Sequence, residues 1–328
     1  MEIFYNGQWN NSKEKLEVFD PYTEKRVGSV AKISKVALEK ALKYLHDERV
    51  ELSAFERSNI LFKIAEKILK EKKKYSKLIT SEAGIPLKGS NHEVMRSYQA
   101  VCYAAEESKR ITGETLPTDI TDNKIDKLCI CLYEPVGLVS AITPFNHPLN
   151  QVIHKLAPAI AAGNSIIIKP SEKTPLTALK LCKTVLDAGW PKENITVVMG
   201  DIDEIAHTLT GNDYVDMVSF TGSVETGESI HKNAGVKKVS LELGGNSVFI
   251  VMDDADLDKA SQIATQGAFS NNGQRCTSIK RILLHNKIAN AFIKKFTKKV
   301  SKLVVGSPYN ENTDIGPVID LKAAMYIE

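Results

Sequence analysis

Gly137-Leu138-Val139-Ser140-Ala141-Ile142-Thr143-Pro144-Phe145-Asn146, followed one helix later by Ser165-Ile166-Ile167-Ile168-Lys169-Pro170-Ser171-Glu172, decides the fold. Each half is a short apolar run that breaks into proline and polar residues. The stretch between them, Asn150 to Ala162, has the length and composition of a helix. Strands joined this way lie parallel, because a parallel neighbour needs a crossover whereas a tight turn returns the chain antiparallel. The same alternation continues through helix Leu176 to Ala188 closed by Gly189, strand Ile195 to Met199, helix Ile202 to Thr210, strand Val215 to Phe220 and a helix after Gly222. The expectation is an α/β fold built on a doubly wound parallel sheet, with ligands at the carboxyl ends of the strands. Thr143 to Asn146, Lys169 to Glu172, Gly200 and Thr221 to Ser223 occupy those ends.

Upstream, Ile3 to Trp9 reads as two strands about an Asn6-Gly7 turn. After Asp20-Pro21 helices are expected: Lys35 to about His46 capped by Ser34, Glu56 to Lys74 with an apolar stripe at Ile60, Leu61, Ile64, Ile68 and Leu69, and Ser90 to Lys109. Downstream of Glu242-Leu243-Gly244-Gly245 a second unit begins, with strand Ser247 to Val251, an acidic helix start at Asp253 to Asp258, the turn Asn271-Asn272-Gly273, strand Ile279 to Leu284 and a Lys-rich helix to Val304. Val318 to Glu328 opens a helix with no closing strand after it, so this second unit is expected to be incomplete.

The 328 residues are 43% hydrophobic and 25% charged, an ordinary globular composition with room for two domains. With 43 Lys+Arg against 40 Asp+Glu the net charge is +3, and the lysines are scattered, which argues against nucleic acid as a partner. The five cysteines (Cys102, Cys129, Cys131, Cys182, Cys276) show no CxxC spacing, and no signal peptide is apparent, so a reduced cytoplasmic setting is expected. Apolar runs are too short for a membrane span. No metal site is expected.

Cys276 lies in Gly273-Gln274-Arg275-Cys276-Thr277, between a turn and a strand with a cation beside it, a setting that favours thiolate. A free cysteine is most often a buried, inert residue, and the other four fit that description. Glu242 ends an apolar strand before two glycines, where partial burial would raise its pKa towards general-base use; alone it reads equally as a cap or an ion-pair partner. Asn146, on a Pro-flanked loop, is a side-chain amide that can donate to a developing oxyanion, although Asn near Pro is usually turn chemistry. Gly222-Ser223-Val224-Glu225-Thr226-Gly227 opens a helix where a phosphate can rest, but it is neither a Walker loop nor GxGxxG. Lys169 and Glu172 add a cation and a carboxylate at the next strand end.

Together these segments resemble the aldehyde dehydrogenase superfamily: Thr143-Pro144-Phe145-Asn146, Lys169-Pro170-Ser171-Glu172, Phe220-Thr221-Gly222-Ser223, Glu242-Leu243-Gly244-Gly245 and Gly273-Gln274-Arg275-Cys276 stand in the family's order and spacing across essentially the whole chain. The resemblance implies the aldehyde dehydrogenase fold, with a Rossmann-like NAD(P)-binding domain over residues 1–241 and an incomplete α/β catalytic domain over residues 242–328. It implies that Cys276 attacks the aldehyde, that Asn146 and the Cys276 backbone N–H hold the resulting oxygen, and that Glu242 activates water against the thioester. Cofactor contacts are implied at Ile142, Thr143, Pro144, Phe145, Lys169, Ser171, Glu172, Gly222, Ser223, Gly227 and Leu243. A Glu172 carboxylate near the adenosine ribose would repel a 2′-phosphate, so NAD is expected over NADP. A strand near residues 127–134 would serve oligomerisation, with a homodimer or tetramer expected for a full-length relative.

A narrower resemblance to phosphonoacetaldehyde dehydrogenases, shared in part by non-phosphorylating glyceraldehyde-3-phosphate dehydrogenases, rests on Ser140 to Asn150, Asn91-His92-Glu93-Val94 with Arg96, and Asn272 to Thr277 with Lys280-Arg281. It implies a small aldehyde with an anionic head, held by Arg96, His147 and Arg275. The bland alternative puts Arg96 on a solvated helix face and leaves Arg275 tuning the thiol. Two departures stand out. Gly200-Asp201-Ile202 lacks the second glycine of the family's Gly-Xaa-Gly turn, and family members run well beyond residue 328. Rival readings are a non-catalytic remnant and a CoA-acylating enzyme, the latter disfavoured by Glu242. Lactaldehyde and glyceraldehyde 3-phosphate are the alternative substrates.

Overall fold

The computed structural model describes residues 1–120 and 127–327. Strands β1 (Ile3–Tyr5) and β2 (Gln8–Asn10) form a hairpin whose turn residues Asn6 and Gly7 have φ of 51° and 70°, the left-handed pair that a two-residue turn demands. Next come two antiparallel strands, β3 (Lys15–Phe19) and β4 (Arg26–Ala31), which precede the first expected helix and were not read from the sequence. The Asp20 carboxylate accepts from the Tyr22 and Thr23 amides at 2.8 and 3.3 Å, so Asp20-Pro21 turns one strand into the next.

Helix α1 (Lys35–Asp47) starts at Ser34 as expected. The stretch from Glu56 to Lys74 is two helices, α2 (Ala54–Lys70) and α3 (Lys72–Ala83), broken at Glu71. A reciprocal capping box between Ser53 and Glu56 fixes the start of α2. The break lets Glu71 pair with both Lys74 and Lys180, tying α3 to a later helix. After α4 (Leu87–Glu107), strands β5 (Glu114–Leu116) and β6 (Cys129–Cys131) make a separate antiparallel ribbon. Cys129 and Cys131 are therefore half-buried on a projecting ribbon, not core residues.

The alternation then runs β7 (Leu138–Ile142), α5 (Asn150–Ala161), β8 (Ser165–Lys169), α6 (Pro175–Asp187), β9 (Ile195–Val197), α7 (Ile202–Gly211), β10 (Met217–Thr221), α8 (Val224–Ala234) and β11 (Lys238–Glu242). Among the described residues the sheet order is β11-β10-β7-β8-β9-β1-β2, parallel from β11 through β9 and antiparallel at the β1-β2 edge. Leu138, Ala141, Ile166, Ile167 and Ile168 are at most 1% exposed, the continuous apolar runs of strands covered on both faces. Chain order reverses between β7 and β10. A crevice opens at such a switch point, beyond the carboxyl ends of the two strands.

The remaining elements are β12 (Ser247–Val251), α9 (Leu257–Phe269), β13 (Ile279–Leu284), α10 (Ala289–Val300) and α11 (Leu321–Ile327). β12 and β13 are parallel and share a small core of Val251, Ala260, Ala264 and Phe292, distinct from the large cluster beneath the main sheet. Among the described residues no helix is long and apolar enough to cross a membrane.

Candidate active site

The crevice is built at the ends of β7, β8 and β10. Ile142, Thr143, Pro144 and Phe145 leave β7, and the Thr143 amide donates to the Lys169 carbonyl at 3.2 Å. Lys169 is 4% exposed and its ammonium pairs with Glu172, so cation and carboxylate meet at the end of β8. Ser171 turns inward to its own loop, its hydroxyl accepting from the Lys173 amide at 3.2 Å. At β10 a methyl added to Gly222 would lie 2.4 Å from the Phe220 ring, and one on Gly227 would lie 2.5 Å from Leu243. Those glycines allow α8 to start tight against the strand, with Ser223 capping it by accepting from the Thr226 amide at 3.2 Å.

The hydroxyls of Thr143 and Thr221, at the two strands that flank the switch point, are buried without a hydrogen-bond partner. A buried hydroxyl left unpaired is costly, so a polar ligand is the natural partner. A helix N-terminus, a buried lysine, a carboxylate and orphaned hydroxyls are the donor and acceptor set a dinucleotide would use.

The loop carrying Cys276 is held by three consecutive left-handed residues, Asn271, Asn272 and Gly273, with φ of 57°, 57° and 74°. Their side chains anchor it to other elements. Asn271 donates to the Asn146 carbonyl at 2.8 Å, and Asn272 donates to the Pro317 carbonyl at 2.8 Å. Asn146 in turn donates to the Gln274 carbonyl at 2.7 Å, while the Gln274 side chain accepts from the Ile319 amide at 3.0 Å. On the opposite side, a methyl on Gly245 would sit 2.9 Å from the Cys276 carbonyl oxygen, so the loop after Glu242 abuts the cysteine's own backbone. The Glu242 carbonyl accepts from the Gly222 amide at 3.0 Å, linking this loop to the start of α8.

The segments of Asn146, Glu242 and Cys276 are thus brought together, with Cys276 exposed. The expected partial burial of Glu242 is not found. Glu242 is exposed at the carboxyl end of β11, the outermost strand of the sheet among the described residues.

Arg96, His147 and Arg275 are placed differently from one another. His147 is half-buried with Nδ1 3.2 Å from the carboxylate of the buried Glu93. Arg96 is exposed on α4 alongside His154 of α5, whose pKa is lowered first by burial and then by the Arg96 charge. Arg275 donates to the Thr277 hydroxyl at 3.0 Å. No hydrogen bond or ion pair joins these three among the described residues.

Lys155 escaped the sequence reading. It lies on α5, 8% exposed, and donates to the Ser219 hydroxyl of β10 at 3.0 Å. Burial pushes its pKa down to about 8, opposed by the Glu242 charge. The signal was a lysine among Val152, Ile153, Leu156 and Ala157, a helix too apolar around it to leave that position in solvent.

A switch-point crevice with this donor set, facing a loop-borne thiol, belongs to an NAD(P)-dependent oxidoreductase. The chain is a member of the aldehyde dehydrogenase family, whose model matches residues 9–328. It is 42% identical over 327 residues to the 3-sulfolactaldehyde dehydrogenase of Priestia aryabhattai, covering 99% of this chain and 69% of that protein. With the lactaldehyde dehydrogenase of Methanococcus aeolicus the identity is 40% over 333 residues, 99% of this chain and 70% of the relative. Among solved structures, an NADP-dependent enzyme of E. coli superposes with a TM-score of 0.95 at 35% identity, covering 99% of this chain and 68% of that one.

Proposed function

We propose that this chain oxidises a small aldehyde with an anionic head to its carboxylic acid, through a thioester on Cys276. The observation that carries the reading is convergence: Asn146 bonds the Cys276 loop, and Gly245 brings the loop after Glu242 against Cys276 itself. In this scheme the Cys276 thiolate adds to the aldehyde carbon, and the oxygen that becomes negative is held by the second Asn146 amide hydrogen and the Cys276 backbone N–H. A bound nicotinamide dinucleotide, held by Lys169, Glu172 and the start of α8, supplies the acceptor for the hydride that leaves as the thioester forms. Glu242 takes a proton from water, the resulting hydroxide equivalent adds to the thioester, and its collapse releases the acid and the Cys276 thiolate.

An anionic head is supported by the name of the Priestia relative, which refers to a sulfonated aldehyde, and by the Arg275 guanidinium one residue before Cys276. Phosphonoacetaldehyde carries a comparable tetrahedral anion. A second reading, an uncharged hydroxyaldehyde, is favoured by the exposure of Arg96 on α4 and by the Methanococcus relative's name. NAD is the proposed cofactor: the Glu172 carboxylate at the end of β8 supports this, since a carboxylate beside the adenosine ribose would repel a 2′-phosphate. The exposed apolar residues Leu116, Leu128, Ile130 and Leu132 on and beside the β5-β6 ribbon support self-association.

The test is to incubate the chain with NAD and, separately, sulfolactaldehyde, phosphonoacetaldehyde and lactaldehyde, following NADH, with Cys276→Ala as control. Turnover of the charged aldehydes at least tenfold above lactaldehyde, abolished in the variant, is expected. No NADH from the unaltered chain overturns the catalytic reading. If Arg275→Leu loses activity equally towards charged and uncharged aldehydes, Arg275 is no anion ligand.

A further inference from the structure

Helices α7 and α8 cap their own first turns, with the side chains of Asp201 and Ser223, whereas α5 and α6 have no such cap. At α6 the N-cap residue is Thr174, whose hydroxyl is buried without a partner among the described residues. The free amides are taken instead by Glu82, near the end of α3 and 0% exposed. Its Oε2 accepts from the Leu176 amide at 2.8 Å and its Oε1 from the Thr177 amide at 3.0 Å. Glu93 caps α5 from α4 in another way, Oε1 alone accepting from the Leu149 and Asn150 amides at 2.9 and 3.0 Å.

The body of α6 is held to α3 elsewhere. The Tyr75 and Thr184 hydroxyls lie 2.7 Å apart, and Glu71 pairs with Lys180. What Glu82 adds is control of the first turn, whose amides have no partner within the helix and are costly to leave buried and unpaired. The constraint runs back along the chain, because the Thr174 amide donates to the Ser171 carbonyl at 3.2 Å in a turn that contains Glu172.

We propose that Glu82 is a positioning residue for the cofactor: from outside the crevice it fixes the first turn of α6, and so the place of Lys169 and Glu172 against the ribose. This rests on the reading above that Lys169 and Glu172 hold the dinucleotide. Glu82→Gln tests it at constant shape. Its NH2 group replaces one acceptor and turns a donor towards an amide that itself donates, so both contacts cannot be kept. Glu82→Asp keeps both acceptors on a shorter arm. Tyr75→Phe is the control, since it removes another buried contact between α3 and α6 and leaves the first turn of α6 alone.

The measurement is the Kd of NAD and, separately, of NADP by titration calorimetry at about pH 9, above the value of about 8 to which burial raises the Glu82 carboxyl. Kd of the better-bound dinucleotide should rise about fivefold or more in Glu82→Gln, about threefold in Glu82→Asp and less than twofold in Tyr75→Phe. Iodoacetamide labelling of Cys276 should stay within about threefold in all of them, because the Gly84 carbonyl that accepts from Asn272 of the thiol loop is unaltered. Where Glu82→Gln does not fold, Glu82→Asp against Tyr75→Phe decides in the same way. An unchanged Kd in the Glu82 variants overturns the proposal, as does an equal rise in Tyr75→Phe, which would make Glu82 a packing contact between the two helices and nothing more. An unaltered chain that binds neither dinucleotide overturns the cofactor reading and the proposal together.

Discussion

The side-chain amide of Asn146 donates to the Gln274 carbonyl at 2.7 Å, so the loop leaving β7 and the loop bearing Cys276 are fastened by the residue proposed to hold the oxyanion. One amide hydrogen is used structurally and the other is free for substrate. Asn146→Ala should therefore lower kcat by roughly 10²–10³, the usual cost of one oxyanion donor. It should also lower Tm by a few degrees through the lost loop contact, a shift of about 1 kcal/mol. Steady-state kinetics and thermal melts check both. Unchanged kcat would remove Asn146 from the chemistry.

Gly245 sits where an added methyl would lie 2.9 Å from the Cys276 carbonyl oxygen, closer than a Cβ and a backbone oxygen comfortably approach. Gly245→Ala must push the two loops apart by a few tenths of an ångström or more. Because misplacement of about 1 Å at reacting groups can cost 10²-fold, kcat should fall roughly 10- to 100-fold. Iodoacetamide labelling of Cys276 should at the same time stay within threefold of the unaltered rate, since the thiol remains exposed. A fall in labelling as large as the fall in kcat would point to damage at the thiol instead of misalignment.

The sheet was legible because its signal is local. Apolar runs of strand length, separated by helices and ending in polar residues, locate β7, β8, β12 and β13 to within a residue and indicate the parallel crossover. The β3-β4 hairpin was not read although Lys15-Leu16-Glu17-Val18 alternates polar and apolar, because the run is short and its turn depends on Asp20 accepting from the Tyr22 and Thr23 amides. The break at Glu71 was hidden for a different reason: the apolar stripe runs up to it, and its partner Lys180 is distant in sequence. At the site, Cys276 and Asn146 could be picked out from loop chemistry. Glu242 could be named, but its exposure could not, because burial at a strand end depends on what packs over it and not on the local run of residues. Lys155 and the capping role of Glu93 depend on contacts between helices and strands far apart in the chain.

Lys155 offers a test by pH. Burial lowers its pKa from 10.5 to about 8. A buried lysine with a depressed pKa is disfavoured in its charged form, so it costs stability below about pH 8, where both folded and unfolded chains carry the proton. That cost fades as pH rises from about 8 towards 10.5, the window in which only the unfolded lysine remains protonated. At about 1.4 kcal/mol per pKa unit the cost at pH 7 is at most about 3 kcal/mol, offset by about 1 kcal/mol from the bond to Ser219. Lys155→Met should therefore be the more stable chain at pH 7, and its advantage should shrink between pH 8 and 10.5. Urea unfolding of both proteins at several pH values reads the difference directly, with other titrating groups cancelling. A constant difference across that window would show that Lys155 does not titrate there.

If the proposed placement of the cofactor holds, its preference turns on the ion pair between Lys169 and Glu172. Lys169 is 4% exposed and Glu172 supplies its counter-charge at the end of β8, where the ribose would rest. In Glu172→Gln a 2′-phosphate no longer meets a carboxylate, and the lysine that was neutralised becomes available to it. Both changes act in the same direction, towards NADP. The ratio of kcat/KM for NAD over NADP should fall by about tenfold or more, since removing one charge repulsion and freeing one cation are each worth about 1 kcal/mol near a protein surface. Most of the change should come from a lower KM for NADP, because the hydride-transfer geometry at the far end of the cofactor is untouched. If the unaltered chain already prefers NADP, Glu172 does not face the ribose 2′ position, and Lys169 rather than Glu172 sets the preference.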